Sequence, residues 1–404
     1  MLGPKGMNVL HISESDAAGG AARTAYKVHR GLEEAGHVSR MLVGRKVTQD
    51  SGIRSIKRND AWRAVDRAAG TLTNAVGLQY AYFPSSFAVA RDPWFREADL
   101  VQLHNLHGSY FGFTALPRLT RQRPTVWLLQ DQWSMTGHVA YSLDCERWRH
   151  GCGSCPYLGE YPRLRHDTTA LLWRLKRRVY ERSALTLIVP SRWMLELVQA
   201  SPLLARFPAR RIPHGVDTNV FRPMPKDEAR NRLGLPAERP IVLFAASHLN
   251  ERRKGLDLLE RALALMDDPP LLALAGEGEA PSDVESHSLG AIADDRLLAQ
   301  AYAAADAVAV PTIADALTQT AIESIACGTP CVAFDRGGVT DVVTHMKTGY
   351  QARFGDVADL ARGLQTVLDG DGFGPRCREA AEAEFSVELQ VRRYLEVYQE
   401  LIAA

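Results

Sequence analysis

No stretch of this 404-residue chain approaches the ~18 consecutive apolar residues that a membrane-spanning helix needs. Nor is charge of one sign in excess: 48 Lys and Arg stand against 47 Asp and Glu, a formal charge of +1. That balance argues against a general nucleic-acid binder held by phosphate attraction. The opening MLGPKGMNVLHISES lacks the basic n-region, the apolar core of roughly 7–15 residues and the small-residue cleavage site of a signal peptide, and runs straight into a strand-like NVLHI. These absences together predict a soluble, cytoplasmic protein. The G-x-G-x-x-G dinucleotide fingerprint is missing too. Cysteine is sparse, with six residues. Cys327, Cys331 and Cys377 sit in apolar or helical surroundings, where buried thiols are expected.

What is present is an ordinary globular composition, 46% apolar and 24% charged, in a chain too long for one core. At roughly 100–200 residues per domain it predicts two large domains with a cleft between them. Short apolar runs alternate with amphipathic, helix-like segments: NVLHI, SRMLVG, LVQLH, TVWLLQ and LTLIVPS, then PIVLFAAS, LLALAGEG, AVAVPT and PCVAFD. Such alternation predicts an α/β architecture of parallel sheets with crossover helices on both faces. The pattern restarts near Pro240 after a Pro- and charge-rich passage, so a linker is expected at about residues 205–216. This gives two doubly wound units, 1–205 and 206–386, with the final run, about 387–404, expected to pack back on the first. Ligands of such sheets bind at the carboxyl ends of strands.

Three stretches carry chemistry. Gly19 and Gly20 precede a helix and suit a tight turn with close approach of a ligand to backbone N–H groups, although a purely structural turn reads the same way. Arg253 and Lys254 precede Gly255 and an amphipathic helix, which suits a diphosphate cradle as well as a solvated basic turn. In DALTQTAIESIACGTPCVAFDRGG (315–338), Asp315 falls in the loop after a strand and Glu323 in the early turns of the next helix. Carboxylates there accept hydrogen bonds from vicinal sugar hydroxyls, or simply complement the helix dipole.

Asp315, seven residues, then Glu323 and ACGTPCVAFDRGG resembles the E-x7-E signature of retaining glycosyltransferases of the GT-B fold, specifically glycosyltransferase family 4. The resemblance extends through HGVDTNVFRP (214–223), RKGLDLL (253–259), AGEG (275–278), AYAAADAVAVPT (301–312) and TGYQARFGDVADLA (348–361). In the first half, LVQLHNLHGSYF, WLLQDQWSMTGHVAYSLDCERWRHGCGSCP and IVPSRWMLELVQAS are similar to a branch that makes bacterial surface polysaccharides.

The resemblance implies two Rossmann-like domains and a nucleotide diphosphate sugar, UDP- or GDP-linked, bound mainly by the second domain. Glu323 would take the ribose hydroxyls, Asp315 the transferred sugar, and Arg253 and Lys254 the diphosphate, with Leu317 and Thr318 completing the donor set. Gly19 and Gly20 would close over the phosphate from the opposite domain, and His138, Asp131 and His107 would line the sugar and acceptor side. No cofactor is required for transfer, because cations and helix termini stabilise the leaving diphosphate.

Three positions depart from the family pattern: Asp315 for Glu, Gln130 for the His before Asp131, and His248 for a phosphate-binding Arg. The acceptor stays open among saccharide, lipid-linked and small-molecule hydroxyls. Two other readings also stay open, a sugar-nucleotide epimerase of the same fold and a relative that binds nucleotide sugar without chemistry.

Two further expectations concern the first domain. Cys145, Cys152 and Cys155 in CERWRHGCGSC have zinc-ligand spacing, with His138 or His150 as fourth ligand; a reduced cluster or a Cys pair is the alternative, and Val139 stands where the related branch has another Cys. In ALLWRLKRRVYERS, Leu172, Leu175 and Val179 share one face, while Arg174, Lys176, Arg177, Arg178 and Arg182 crowd the rest. That pattern suits peripheral contact with an anionic membrane, or a solvated helix.

Overall fold

The apolar runs rich in β-branched residues between helix-like segments form the central strands, where the backbone is extended and enclosed on both faces. The computed structural model describes residues 6–57 and 59–404; the first five residues of the amino-terminal stretch read above lie outside the described residues. Two compact units are resolved, one of residues up to Ile212 together with Gln390–Ala404, the other Pro213–Leu389.

The first unit carries a seven-stranded sheet of β1 (Asn8–Ser15), β2 (Val38–Arg45), β3 (Ile53–Ser55), β4 (Leu100–Leu103), β5 (Thr125–Leu128), β6 (Thr186–Val189) and β7 (Ala209–Arg211). Their spatial order is β3-β2-β1-β4-β5-β6-β7, and every pairing is parallel. β4, β5 and β6 are buried at every position, as a sheet covered by helices on both faces requires.

The second unit repeats the plan with six strands: β8 (Ile241–His248), β9 (Leu271–Glu277), β10 (Ser286–Gly290), β11 (Ala307–Val310), β12 (Cys331–Phe334) and β13 (Gly349–Ala352). They run in the order β10-β9-β8-β11-β12-β13, again all parallel. In each unit the order reverses beside the first strand, between β1 and β4 and between β8 and β11. The loops following those strands diverge there and leave a crevice at their carboxyl ends.

The nine runs singled out in the sequence all form strands. Four short strands were not expected, and each lies toward a sheet edge with mixed burial: β3, β7, β10 and β13. β7 corrects the expected linker, since Ala209 pairs with Leu187 of β6. Residues 209–211 therefore belong to the first sheet, and the boundary falls after Ile212 instead of after residue 205.

The last helix, Val387–Ala403, joins the first unit from Gln390 onward. Gly31 of helix Gly20–Glu34 lets it approach: a Cβ there would stand 2.3 Å from Val391 Cγ2. Tyr398, fully buried, donates its hydroxyl to Gln102 Oε1 of β4 at 3.0 Å. Tyr398→Ala is expected to destabilise the first unit by about 3–5 kcal/mol through the lost ring, and Tyr398→Phe by about 1 kcal/mol through the lost hydrogen bond. Urea denaturation checks both; equal effects would mean that ring packing contributes nothing.

Candidate functional site

In the second unit the strand β8 runs out into SHLNERRKG. A short turn, Arg252–Lys254, leads to Gly255, whose φ of 77° opens the helix Leu256–Leu263. No other residue type fits at 255. A Cβ would lie 2.2 Å from the carbonyl oxygen of Pro311, which begins the loop after β11. This backbone contact carries the basic turn onto the acidic loop: Ile313 N donates to Arg253 O at 2.9 Å, and Arg253 Nη1 donates to Ala314 O at 3.1 Å.

Asp315 then meets both cations. Its Oδ2 accepts from Lys254 Nζ at 2.8 Å and from Arg253 Nη1 at 3.1 Å, while Glu251 holds the other edge of Arg253 at 2.9 Å. Burial works to raise the Asp315 carboxyl, but the Lys254 ammonium and the Arg253 guanidinium outweigh it and hold the group at about 2. The loop is clasped from a third side by Gly338 N, which donates to Asp315 O at 2.9 Å. A Cβ on Gly338 would fall 1.9 Å from Ala316 O, which accounts for the Gly-Gly after Arg336.

The helix Gln319–Ala326 starts at Thr318 without a side-chain cap, so no side chain satisfies the N–H groups at its very start, while Ala321 N already donates to Thr318 O at 3.1 Å. Leu317 and Thr318 are buried, and Thr318 Oγ1 has no hydrogen-bond partner among the described residues. Glu323 points inward from the same helix and accepts from Tyr302 OH at 2.9 Å. The structure thus joins Asp315, Arg253 and Lys254 directly and gives Glu323 a separate partner. Tyr302, inside AYAAADAVAVPT, was not singled out from the sequence, because an aromatic in an alanine-rich helix reads as core. His248 ends β8 exposed, with Nδ1 3.7 Å from Glu277.

In the first unit the loops after β1, β4 and β5 hold the remaining candidates. Gly19, with φ 84°, is the residue before helix Gly20–Glu34; it offers no side-chain cap, and both glycines have open space where a Cβ would stand. Gln130 Nε2 donates to Ala21 O at 3.3 Å, tying the β5 loop to that helix end. Next to it Asp131 Oδ2 lies 2.7 Å from His107 Nε2, and His107 Nδ1 lies 3.2 Å from Tyr161 OH. Asp131 Oδ1 accepts from Trp133 N at 2.9 Å, which fixes the carboxylate. Tyr161 escaped the sequence reading because it belongs to a segment with no periodicity.

His138 does not join this group. It is buried, with Nδ1 2.8 Å from Pro162 O and Nε2 3.4 Å from Cys155 Sγ. Its expected place on the sugar and acceptor side is therefore corrected: the chain turns it toward the cysteine loop.

The membrane expectation for helix Thr169–Tyr180 also changes. Leu172, Trp173, Lys176, Val179 and Tyr180 are buried within the unit, so the apolar face is already covered. Lys176 is no surface cation: its Nζ donates to Trp133 O and, at 3.0 Å, to Thr136 O, and burial lowers it to about 7. Among the described residues no helix is long and apolar enough to cross a membrane.

A pair of parallel-sheet units with basic and glycine turns at the switch points defines a doubly wound α/β class, and comparison with known proteins narrows it. Residues 18–220 match the model of Glycosyltransferase Family 4, and residues 239–370 match Glycosyl transferases group 1. The chain belongs to glycosyltransferase family 4.

It is 34% identical to a D-inositol 3-phosphate glycosyltransferase of Xylanimonas cellulosilytica over 192 residues, 43% of this chain and 46% of the relative. To the enzyme of the same name from Thermobispora bispora it is 33% identical over 214 residues, 47% of this chain and 48% of the relative. The chain thus spans about half the length of the curated relatives it matches.

Two solved structures share the GT-B fold over nearly the whole chain. Sucrose-phosphate synthase from Thermosynechococcus elongatus aligns with TM-score 0.69 at 21% identity, covering 98% of this chain and 99% of the other. Anabaena HepE in complex with UDP-glucose aligns with TM-score 0.66 at 19% identity, covering 97% and 100%.

The charge network makes a pH-dependent prediction. An unfolded Asp ionises near ~3.9, so the stability from a folded value of about 2 is fully present above pH ~4 and is lost as pH falls toward 2. Asp315→Asn is expected to cost roughly 2 kcal/mol at neutral pH, with the gap from the parent closing below pH ~4. Denaturant unfolding at stepped pH measures it, and a gap of constant size down to pH 3 would remove the ion-pair account.

Proposed function

We propose that this chain transfers a sugar, with retention of anomeric configuration, from a nucleotide diphosphate sugar to an acceptor hydroxyl. The observation that carries this is the Asp315, Arg253 and Lys254 network beside the uncapped helix start at Thr318, in a chain of this family. The second unit binds the donor. Its diphosphate takes the Arg253 guanidinium, the Lys254 ammonium and the open N–H groups of helix Gln319–Ala326, and Thr318 Oγ1 gains the partner it lacks. Asp315, relieved of part of its ion pairing, accepts hydroxyl protons of the transferred sugar. Glu323, held by Tyr302, accepts from the ribose.

As the glycosidic C–O bond breaks, negative charge grows on the β-phosphate. Cations already fixed in place stabilise that charge more than they stabilise the bound donor, which lowers the barrier. The departing phosphate takes the acceptor proton on the same face of the sugar, so no enzymic nucleophile is used. In the first unit, Asp131 and His107 serve the acceptor and sugar side; Asp131 is held in orientation by His107 and by Trp133 N. A UDP-linked donor is favoured by one solved neighbour, Anabaena HepE, which is known in complexes with UDP and with UDP-glucose.

Screening the purified chain against nucleotide sugars, first for thermal stabilisation and then for turnover, tests the proposal. Glu323→Ala is expected to weaken nucleotide diphosphate binding about tenfold or more, the worth of one or two hydrogen bonds to a charged group. Asp315→Ala is expected to lower kcat by roughly 10²-fold through a misplaced sugar. Full transfer by both variants would overturn the site, and turnover of donor alone to an epimeric sugar nucleotide would replace transfer with epimerisation.

A further inference from the structure

The connection from β5 to helix Thr169–Tyr180, residues 129–168, holds only one short helical turn, Arg147–Arg149. Irregular segments of that length inside a compact unit are uncommon and need something to hold them. Part of the hold is visible. Gly153 N donates to Thr169 Oγ1 at 2.9 Å, Cys155 N to Asp167 Oδ2 at 2.7 Å, and Trp173 Nε1 to Trp148 O at 3.0 Å. These bonds pin the cysteine loop against the start of the helix.

The same loop surrounds a cavity of about 20 Å³, room for one or two water-sized spheres at ~10–15 Å³ each. Cys145, Cys152, Cys155 and His138 all line it, and all three cysteines are free thiols.

His138 is prepared as a ligand. Its Nδ1 lies 2.8 Å from Pro162 O, and a carbonyl only accepts, so the proton is on Nδ1 and Nε2 presents a bare lone pair to the cavity. A backbone carbonyl behind a ligating imidazole is the usual outer-shell arrangement of a metal-bound histidine. Nε2 stands 3.4 Å from Cys155 Sγ. Tetrahedral zinc, with bonds of about 2.3 Å to sulfur and about 2.0 Å to nitrogen, would place adjacent S and N atoms roughly 3.5 Å apart. The sulfurs also accept from backbone amides, Cys152 from Gly137 N at 3.2 Å and Cys155 from Tyr157 N at 3.4 Å, bonds that fix both side chains within the loop.

We propose that Cys145, Cys152, Cys155 and His138 bind one structural zinc ion that staples residues 129–168.

No third ligand atom joins the His138 and Cys155 pair within 4.8 Å among the described residues, so binding draws Cys145 and Cys152 inward over the space of the cavity. One other group is more closely gathered, His29, Glu33 and Asp50, but Arg30 already stands 2.6 Å from Glu33 and 4.0 Å from Asp50, so its carboxylates hold a resident cation. Four protein ligands close the coordination sphere, so the ion orders the loop that begins at Asp131 and takes no part in transfer.

Elemental analysis of protein purified without chelator or metal-affinity tag is expected to find about one equivalent of zinc, as a closed structural site holds its ion. Cys152→Ser and His138→Ala are expected to lose it, while Cys377→Ser, a buried thiol elsewhere, keeps it. Should the site variants fail to fold, cobalt exchanged into the parent protein gives a second reading: an intense thiolate-to-cobalt charge-transfer band with tetrahedral d–d absorption is expected. Less than about a tenth of an equivalent with all three thiols freely titrating, a Cys152–Cys155 disulfide, or full zinc in Cys152→Ser would each overturn the assignment.

Discussion

Every strand in both sheets runs parallel to its neighbours, and that single constraint places the chemistry. A parallel strand is re-entered only after a crossover, so all carboxyl ends open along one edge of a sheet and all amino ends along the other. Where the order reverses, adjacent loops lead away in opposite directions and leave space for a ligand. β8 pairs with β11 through Val242 with Ala307 and Leu243 with Val308. The loop of Arg253 and Lys254 and the loop of Asp315 are therefore neighbours in space, although about 60 residues separate them in the chain.

Sheet topology brings these loops within reach, and backbone contact brings them into register. Gly255 against Pro311 O and Gly338 against Ala316 O leave no room for a side chain between the segments. Aspartate, one methylene shorter than the glutamate usual at position 315, reaches both cations because those segments are so close. The resulting cluster is sheltered without being dry: Asp315, Arg253 and Lys254 are 13, 20 and 18% exposed. In that setting opposite charges attract more strongly than at a surface, yet all three side chains keep some exposure to solvent.

The first unit achieves rigidity by different means. Its long connection after β5 lacks a ladder of its own and borrows partners from its surroundings: Lys176 donates to the carbonyls of Trp133 and Thr136, and Thr169 Oγ1 accepts from Gly153 N. Asp131 stands at the start of this connection and His107 in the loop after the neighbouring strand β4, which β4–β5 pairing brings together.

The apolar runs determined by themselves which segments become the central strands, because a strand covered on both faces must be apolar along its length. Local chemistry likewise marked the glycine turns at 19–20 and 255, and the acids at 315 and 323. Edge strands such as β7 and β10 were illegible, since a half-exposed strand of three to five residues leaves no periodic signature. Side-chain partnership lay beyond sequence altogether. Whether Asp315 is a free acceptor or an ion-paired one, whether His138 faces Asp131 or Cys155, and whether Lys176 meets solvent or carbonyl oxygens all depend on which distant backbone stands within 3 or 4 Å. The family pattern fixes residue types along the chain, but hydrogen bonds and ion pairs reach only over such distances, and the crossings of the folded chain alone set them.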